Sequence, residues 1–584
     1  MKTKLGCKIG VSMVAFLINT LAIAQLFVGP NTYVYNSNEL VYIQQDLELN
    51  ATTSNFYLRN EGQLLQGGTG LETNKGIGNL SVFQEGTANN FHYNYWCSPV
   101  GNSETNTTVN NPFGIKQLGV PLTTTQTTPA IILSTSIYDG TASPFKIAPY
   151  WIYKFINKTT NSDWVQAGST ATIAAGEGFT MKGCSGTNLT TVDGVQNNPD
   201  GIHQRYDFRG KPNDGTIMIP VLQGELTLTG NPYPSAIDLQ EFLISETNCT
   251  GIAYFWQQDK TQNSHFIADY KGGYATYSGS DIYVPAPFFL YDGDGKAITS
   301  LNSAATIYNR KFAPIGQGFM IKGLLKGNVL MKNEYRIFKK EDVANGSQFE
   351  KRADNKIANT NSLIRFNTLL NNGPISQNVL AFNSSSTDGI DRYLDASSQN
   401  NNPANIYFVL NSKEYVINSI AFDINKKIPI GFRNLAQANY KITVNEILNL
   451  PEVENVYLHD KTTDIYYDIK NSFYDLTLGA GTNNNRYEIT FKNNTLSSNS
   501  FVKNDIVLFY NKNEKMLKLS NPTQKELVAY TLFDIAGKLI FQKKGLGNET
   551  SYEFPISNLG DGIYIVKITA TNNIEIGQKI VVRK

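Results

Sequence analysis

Apolar and polar residues alternate along this chain in short runs, and Gly, Pro, Asn, Asp or Thr cuts each run within a few positions. A period of two with frequent turn residues predicts strands rather than helices. Thr32-Tyr33-Val34-Tyr35, Leu40-Val41-Tyr42-Ile43 and Asn55-Phe56-Tyr57-Leu58 are the first such strands, and Gly67-Gly68-Thr69-Gly70 interrupts them. Strands so short and so close predict a small β-roll or β-helix stub over 25–90.

The next stretch reads as one β-unit written twice, over 91–224 and 225–338. The first copy runs from Trp96-Cys97-Ser98-Pro99 through Tyr150-Trp151-Ile152-Tyr153-Lys154-Phe155 to Gly176-Glu177-Gly178-Phe179-Thr180-Met181-Lys182-Gly183. The second runs from Thr229-Gly230-Asn231-Pro232 through Ala253-Tyr254-Phe255-Trp256 to Gly316-Gln317-Gly318-Phe319-Met320-Ile321-Lys322-Gly323. Alternation puts Phe179 with Met181, and Phe319 with Ile321, on an inward face, and turns Lys182 and Lys322 to solvent. A phosphate cradle at Gly-x-Gly would need a helix behind the loop, and no helical period follows.

The charged stretch from Lys339-Lys340-Glu341-Asp342 to Lys351-Arg352-Ala353-Asp354 predicts a linker or short solvated helix over 339–361. Strand runs return over 362–493, among them Leu363-Ile364-Arg365-Phe366, Tyr440-Lys441-Ile442-Thr443-Val444 and Tyr487-Glu488-Ile489-Thr490-Phe491. That many short strands predict an immunoglobulin-like sandwich. A polar linker at 494–500 precedes a small β-sandwich over 501–584. The predicted fold class is therefore all-β and multidomain: sandwich modules, a duplicated β-unit and a carboxy-terminal sandwich.

At 584 residues the chain has room for about three to five domains. Lys and Arg total 50 against 49 Asp and Glu, a formal net charge of +1. With no global field to gather it, nucleic acid is not an expected partner. Lys2, Lys4 and Lys8, an apolar run from Ile9 to Ile23 and the small-x-small triplet Ala22-Ile23-Ala24 predict a signal peptide over 1–24, cut between Ala24 and Gln25. The run is shorter than the roughly 20 residues a membrane span wants. The general secretion machinery is the partner this implies. Cys97, Cys184 and Cys249 then remain, an odd number that allows one disulfide at most. With four scattered histidines they do not make a zinc site, and buried thiols are the expectation.

The last 80 or so residues carry three motifs in order: Asp534-Ile535-Ala536-Gly537-Lys538, Leu559-Gly560-Asp561-Gly562-Ile563-Tyr564 and Lys579-Ile580-Val581-Val582. Together, at the end of the chain, they resemble the type A sorting domain of the type IX secretion system of Bacteroidota. The resemblance implies Asp534, Gly537, Lys538, Gly562, Tyr564 and Lys579 as sorting-motif residues. It also implies a route: export to the periplasm, reading by the outer-membrane translocon, removal of the label by the sorting peptidase, and release or attachment to surface lipopolysaccharide.

Candidate chemistry is sparse. No Gly-x-Ser-x-Gly elbow and no His-Glu-x-x-His helix occurs. Asp292-Gly293-Asp294-Gly295 and Asp388-Gly389-Ile390-Asp391 with Asp395 are calcium candidates, because closely spaced carboxylates in Gly loops can supply several of the six to eight oxygens calcium takes. Asp-Gly is equally an ordinary turn pair. Trp96, Trp151, Trp164 and Trp256 could stack on glycans, although Trp151 and Trp256 fall at matching places in apolar runs and read more simply as core. The sequence therefore predicts a secreted or surface-displayed, non-enzymatic protein of adhesion or matrix interaction, with an unspecified glycan or protein ligand and no cofactor beyond calcium. The alternatives are a glycan-binding or polysaccharide-active protein and a calcium-stabilised stalk.

Overall fold

The computed structural model describes residues 25–582 apart from 292–296, 305–307, 342–346, 348, 350–359, 372, 374, 401, 494–505, 512–514, 557 and 572–574. The predicted signal peptide, Ala24, Asp292, Asp294, the 494–500 linker and most of 339–361 lie outside the described residues. The described residues form strands throughout, with one α-helix at Leu239–Ser245. No helix among them is long and apolar enough to cross a membrane.

Residues 25–85 wind as a coil of parallel strands. Leu26 lies opposite Leu47, Val34 opposite Phe56 and Val41 opposite Leu64, so each turn of chain stacks on the next. Alternation sends Leu47, Leu49, Phe56, Leu58 and Leu64 inward. The corners are tight because Asn31, Asn38 and Asn60 take positive φ (57°, 66° and 47°), a region that Asn enters more readily than most residues. The coil is not sealed on itself. Arg205–Pro212 pairs antiparallel with Asn79–Glu85, and Trp96, Phe113, Phe179 and Phe208 continue the coil's core into the next module. Phe349, from the stretch expected to be a linker, is fully buried and lies 4.6 Å, centroid to centroid, from Trp96.

The two Gly-x-Gly-Phe strands have like partners. Gly178–Lys182 pairs antiparallel with Tyr93–Cys97, and Gly318–Gly323 with Leu226–Gly230. The aromatic runs differ. Cys249–Gln258 is a ten-residue strand, but Pro149–Trp151 forms a 3-10 turn that leaves only Tyr153–Lys154 extended. Pro149 at the first position of the turn has its φ preset and no N–H for a ladder.

Two sheets form the sandwich over 362–493. The core between them contains Phe366, Phe408, Phe432, Tyr440, Leu458, Tyr487 and Ile489. This sandwich is not isolated from the strands that precede it. Ile252, Tyr254, Ile282 and Met320 share one buried cluster with Leu363, Val379, Ala396 and Ile417. Arg392 ties the same junction from the other side. Its guanidinium donates to the carbonyls of Leu243 (2.6 Å), Ile244 (2.7 Å), Glu246 (2.6 Å) and Cys249 (3.0 Å), at the carboxyl end of the helix. A cation there meets the Leu243 and Ile244 carbonyls, which have no partner within the helix, and the negative end of the helix dipole. Arg392→Ala should cost about 3 kcal/mol by stranding those acceptors, read as a lower urea midpoint, and Arg392→Lys should recover only part. An unchanged midpoint would show that water replaces the guanidinium without loss.

The final module, Ile506 to Val582, has a three-stranded and a four-stranded sheet around a core of its own. Leu508, Leu517, Tyr530, Leu532, Val566, Ile568 and Ile580 belong to that core, and among the described residues none outside the module does.

Candidate functional site

A dense gathering of polar and aromatic side chains surrounds Lys182. Strand pairing sets Lys182 opposite Tyr93. The 3-10 turn brings Trp151 over it, and the loop carrying His265 and Tyr270 closes the other side. Lys182 is only 5% exposed, so the expectation that it faces solvent is overturned. Both faces of its strand are covered: Phe179 and Met181 enter the coil-side core, while Lys182 meets aromatic rings.

The Lys182 ammonium lies 3.6 Å from the centre of the Trp151 ring, 2.7 Å from Tyr270 Oη and 3.1 Å from His265 Nδ1. Because Lys182 donates to Nδ1, the imidazole proton sits on Nε2, which donates to Asp139 Oδ1 at 2.8 Å. Asn90 also donates to that carboxylate oxygen. The result is a chain Tyr270–Lys182–His265–Asp139 with an amine at one end of the imidazole and a carboxylate at the other. Burial pushes the Lys182 amine down to about 7, and the distant Asp139 carboxylate opposes this only weakly. Burial likewise raises the Tyr93 and Tyr270 hydroxyls.

This network pins a set of rings at the surface. His265 stacks on Trp151 at 5.0 Å, and Trp151 Nε1 donates to the Tyr138 carbonyl at 2.7 Å. Tyr150 then meets Tyr138 edge to face at 4.7 Å, Trp151 at 4.6 Å and Tyr153 at 6.4 Å. Tyr138 is 44% exposed, Tyr150 and Tyr153 are half-buried, and the Asp139 side chain is 53% exposed. A rigid aromatic rim with a carboxylate beside it can stack on and hydrogen-bond a ligand, but Lys182 itself is too buried to touch one. Asp139 and His265 escaped the sequence reading, since they stand 126 residues apart in unrelated loops.

The other candidates fall elsewhere. Asp388 pairs with Lys426, and Asp391 accepts from Thr387 N (2.6 Å) and Oγ1 (3.0 Å). Asp395 accepts from the backbone N–H groups of Asp391 and Ser419, both at 2.7 Å, and burial raises its carboxyl to about 7. The Asp391 contacts are local to the turn, the Asp388 and Ser419 contacts reach across to neighbouring segments, and among the described residues no three His, Cys, Asp or Glu side chains gather as metal ligands would. Trp96 is in the core, Trp151 belongs to the site, and Trp164 and Trp256 are half-buried. Cys97, Cys184 and Cys249 are buried free thiols. An open cleft of about 550 Å³ beside Glu104, Lys116 and Arg209 is lined by one carboxylate and no tryptophan.

In the last module Asp534 Oδ1 accepts from the N–H groups of Ala536 and Lys538, both at 2.9 Å, and Gly537 sits at φ +83°, so the turn is built on its own side chain and on a glycine. Gly562 opens the strand Gly562–Ala570, Tyr564 Oη donates to the Gly560 carbonyl at 3.0 Å, and Lys579 lies in the last strand, Glu575–Val582. Gln25 is exposed and donates to Asp46 Oδ2 at 2.7 Å.

Comparison with known proteins places two families on the chain. A domain of unknown function, DUF8693, matches residues 134–491, and a secretion system C-terminal sorting domain matches residues 511–583. No curated protein matches. Among solved structures the chain is similar to a DUF3244 family protein with an immunoglobulin-like β-sandwich fold from Bacteroides vulgatus ATCC 8482. The identity is 17%, over 14% of this chain and 85% of that one, with a TM-score of 0.13.

Proposed function

We propose that this chain, which belongs to the DUF8693 family and is exported by the type IX secretion system through its C-terminal sorting domain, works outside the cell as a non-enzymatic binding module in adhesion or matrix interaction. The observation that carries this reading is the rim of Tyr138, Tyr150 and Tyr153, held rigid from beneath by Trp151, His265 and Lys182. Rings already locked in place lose little entropy on binding, and each tyrosine offers a flat apolar face with a hydroxyl at its tip. Sugar rings present the complementary pattern of flat C–H faces and peripheral hydroxyls. The Asp139 carboxylate at the rim favours neutral over anionic glycans.

The test is a glycan array probed with the mature chain, repeated with Tyr138→Ala/Tyr150→Ala. Neutral glycans should bind, and the double variant should lose at least about ten-fold, the effect of removing a central aromatic pair. Equal binding by the variant would overturn the site. No glycan binding by the parent would overturn the ligand class. Shortening of a polysaccharide on incubation would favour the alternative of a polysaccharide-active protein.

A further inference from the structure

The sorting domain is self-contained in its core and is nevertheless covered on its outer face. Alternation divides its four-stranded sheet: Leu532, Val566 and Ile580 face the core, while Phe533, Ile565 and Lys579, aligned across three strands, face away. An outward row should be exposed, yet Ile565 has no exposed surface. The cover comes from the preceding sandwich. Phe473 meets Phe533 edge to face at 4.7 Å, and the Lys567 ammonium sits 4.1 Å from the Phe473 ring centre. Lys441 lies 5.8 Å from the Phe473 ring and 6.0 Å from that of Phe533. Lys579 donates to the Val444 carbonyl. Phe473 is only 6% exposed but is absent from the sandwich's own core, so its burial is owed to the sorting domain.

Two glycines record how close the approach is. A Cβ on Gly537 would come within 3.4 Å of the Lys441 side chain, and one on Gly577 within 2.4 Å of Ser472 Cβ. Gly537 and Lys579 are also sorting-motif positions, which local turn chemistry does not require to face another domain.

We propose that the outer face of the sorting domain is a docking surface whose resting occupant is the Phe473 loop of the preceding sandwich, and that this contact shields Gly537 and Lys579 until the translocon displaces it. The surface is apolar at its centre and lysine-rimmed, so it fits an aromatic residue flanked by carbonyl acceptors, which Phe473 and Val444 supply. Burial at the seam lowers the Lys579 amine to about 8, as expected of an ammonium withdrawn from water. The inference rests on the export assignment and not on the glycan reading.

Acetylation of the full mature chain by a water-soluble succinimidyl ester, followed by peptide mass spectrometry, tests it. Lys538 is exposed in the same domain and serves as the reference. Lys579 should react about ten-fold more slowly than Lys538 in the parent, and within about two-fold of it in Phe473→Ser, the span expected of a contact that opens locally. Phe473→Ala should shift the ratio the same way. Slow amide exchange over Ile428–Phe432 reports that the sandwich stays folded in each variant. A Lys579-to-Lys538 ratio that is the same in the parent and in both variants would overturn docking. In cells, Phe473→Ser should reach the medium no later than the parent, and a delay would overturn shielding.

Discussion

Deleting residues 501–584 should abolish appearance of the protein outside the cell while leaving the remainder folded. The first half follows from the sorting domain, which is the export signal this chain carries. The second follows from the cores. Among the described residues, every member of the sorting domain's core comes from 506–582, and the 362–493 sandwich closes around Phe366, Tyr440 and Tyr487 without it. The deletion uncovers one aromatic, Phe473, together with the stem of Lys441. Exposing a phenylalanine costs about 1.5–3 kcal/mol, too little to unfold a body whose remaining clusters are continuous from the coil to the sandwich. Cell fractionation should therefore find the truncated chain in the periplasm, resistant to protease and melting a few degrees lower than the parent. Undiminished export would refute the sorting role, and a degraded, unfolded remainder would refute the independence of the two cores.

The strands were legible because alternation is a local property. Leu363–Phe366, Tyr440–Val444 and Tyr487–Thr490 fall inside observed strands, and the Asp534–Lys538 turn is built by its own side chain and a positive-φ glycine. Alternation assumes, however, that one face of a strand is wet. Gly178–Lys182 is dry on both, because the 3-10 turn at Pro149–Trp151 and the loop around His265 fold over it from 31 and 83 residues away. Nothing local announces such cover, so Lys182 read as solvated, His265 as one of four scattered histidines, and Asp139 drew no reading. The clue available was compositional: Tyr93, Tyr95, Trp96, Tyr138, Tyr150, Trp151 and Tyr153 are dense over 93–153, and buried Tyr and Trp want polar partners for their hydroxyl and N–H groups. Phe473 escaped for the same reason, since a phenylalanine reads as core whichever domain buries it.

Replacing Lys182 by methionine should remove a large part of the pH dependence of stability above neutrality. In the unfolded chain this amine titrates near the ordinary 10.5, and in the folded chain near 7, because burial disfavours its charge. Between those values the unfolded state holds a proton that the folded state lacks, so unfolding becomes harder as pH rises through the window. Below it both states are charged and the contribution is absent; above it both are neutral and the contribution is complete. One pKa unit is about 1.4 kcal/mol, so the parent should gain on the order of 2–3 kcal/mol from this group between about pH 7 and pH 9. Lys211, lowered by burial to about 8, adds to the upper part of that rise. Tyrosines set the upper limit: burial holds Tyr153 near 12 and raises Tyr93 and Tyr270 further, so above about pH 10 the unfolded chain loses protons the folded chain retains, and stability falls again. Lys182→Met fills the same space without a charge, and its stability near pH 7 should match or exceed the parent's, as happens when a buried charge gives way to an apolar residue. Urea unfolding of both proteins at intervals across this range separates the two slopes. Parallel curves would mean that the Lys182 ammonium keeps its proton in the folded state, held by His265, Asp139 and the Trp151 face more firmly than burial opposes it.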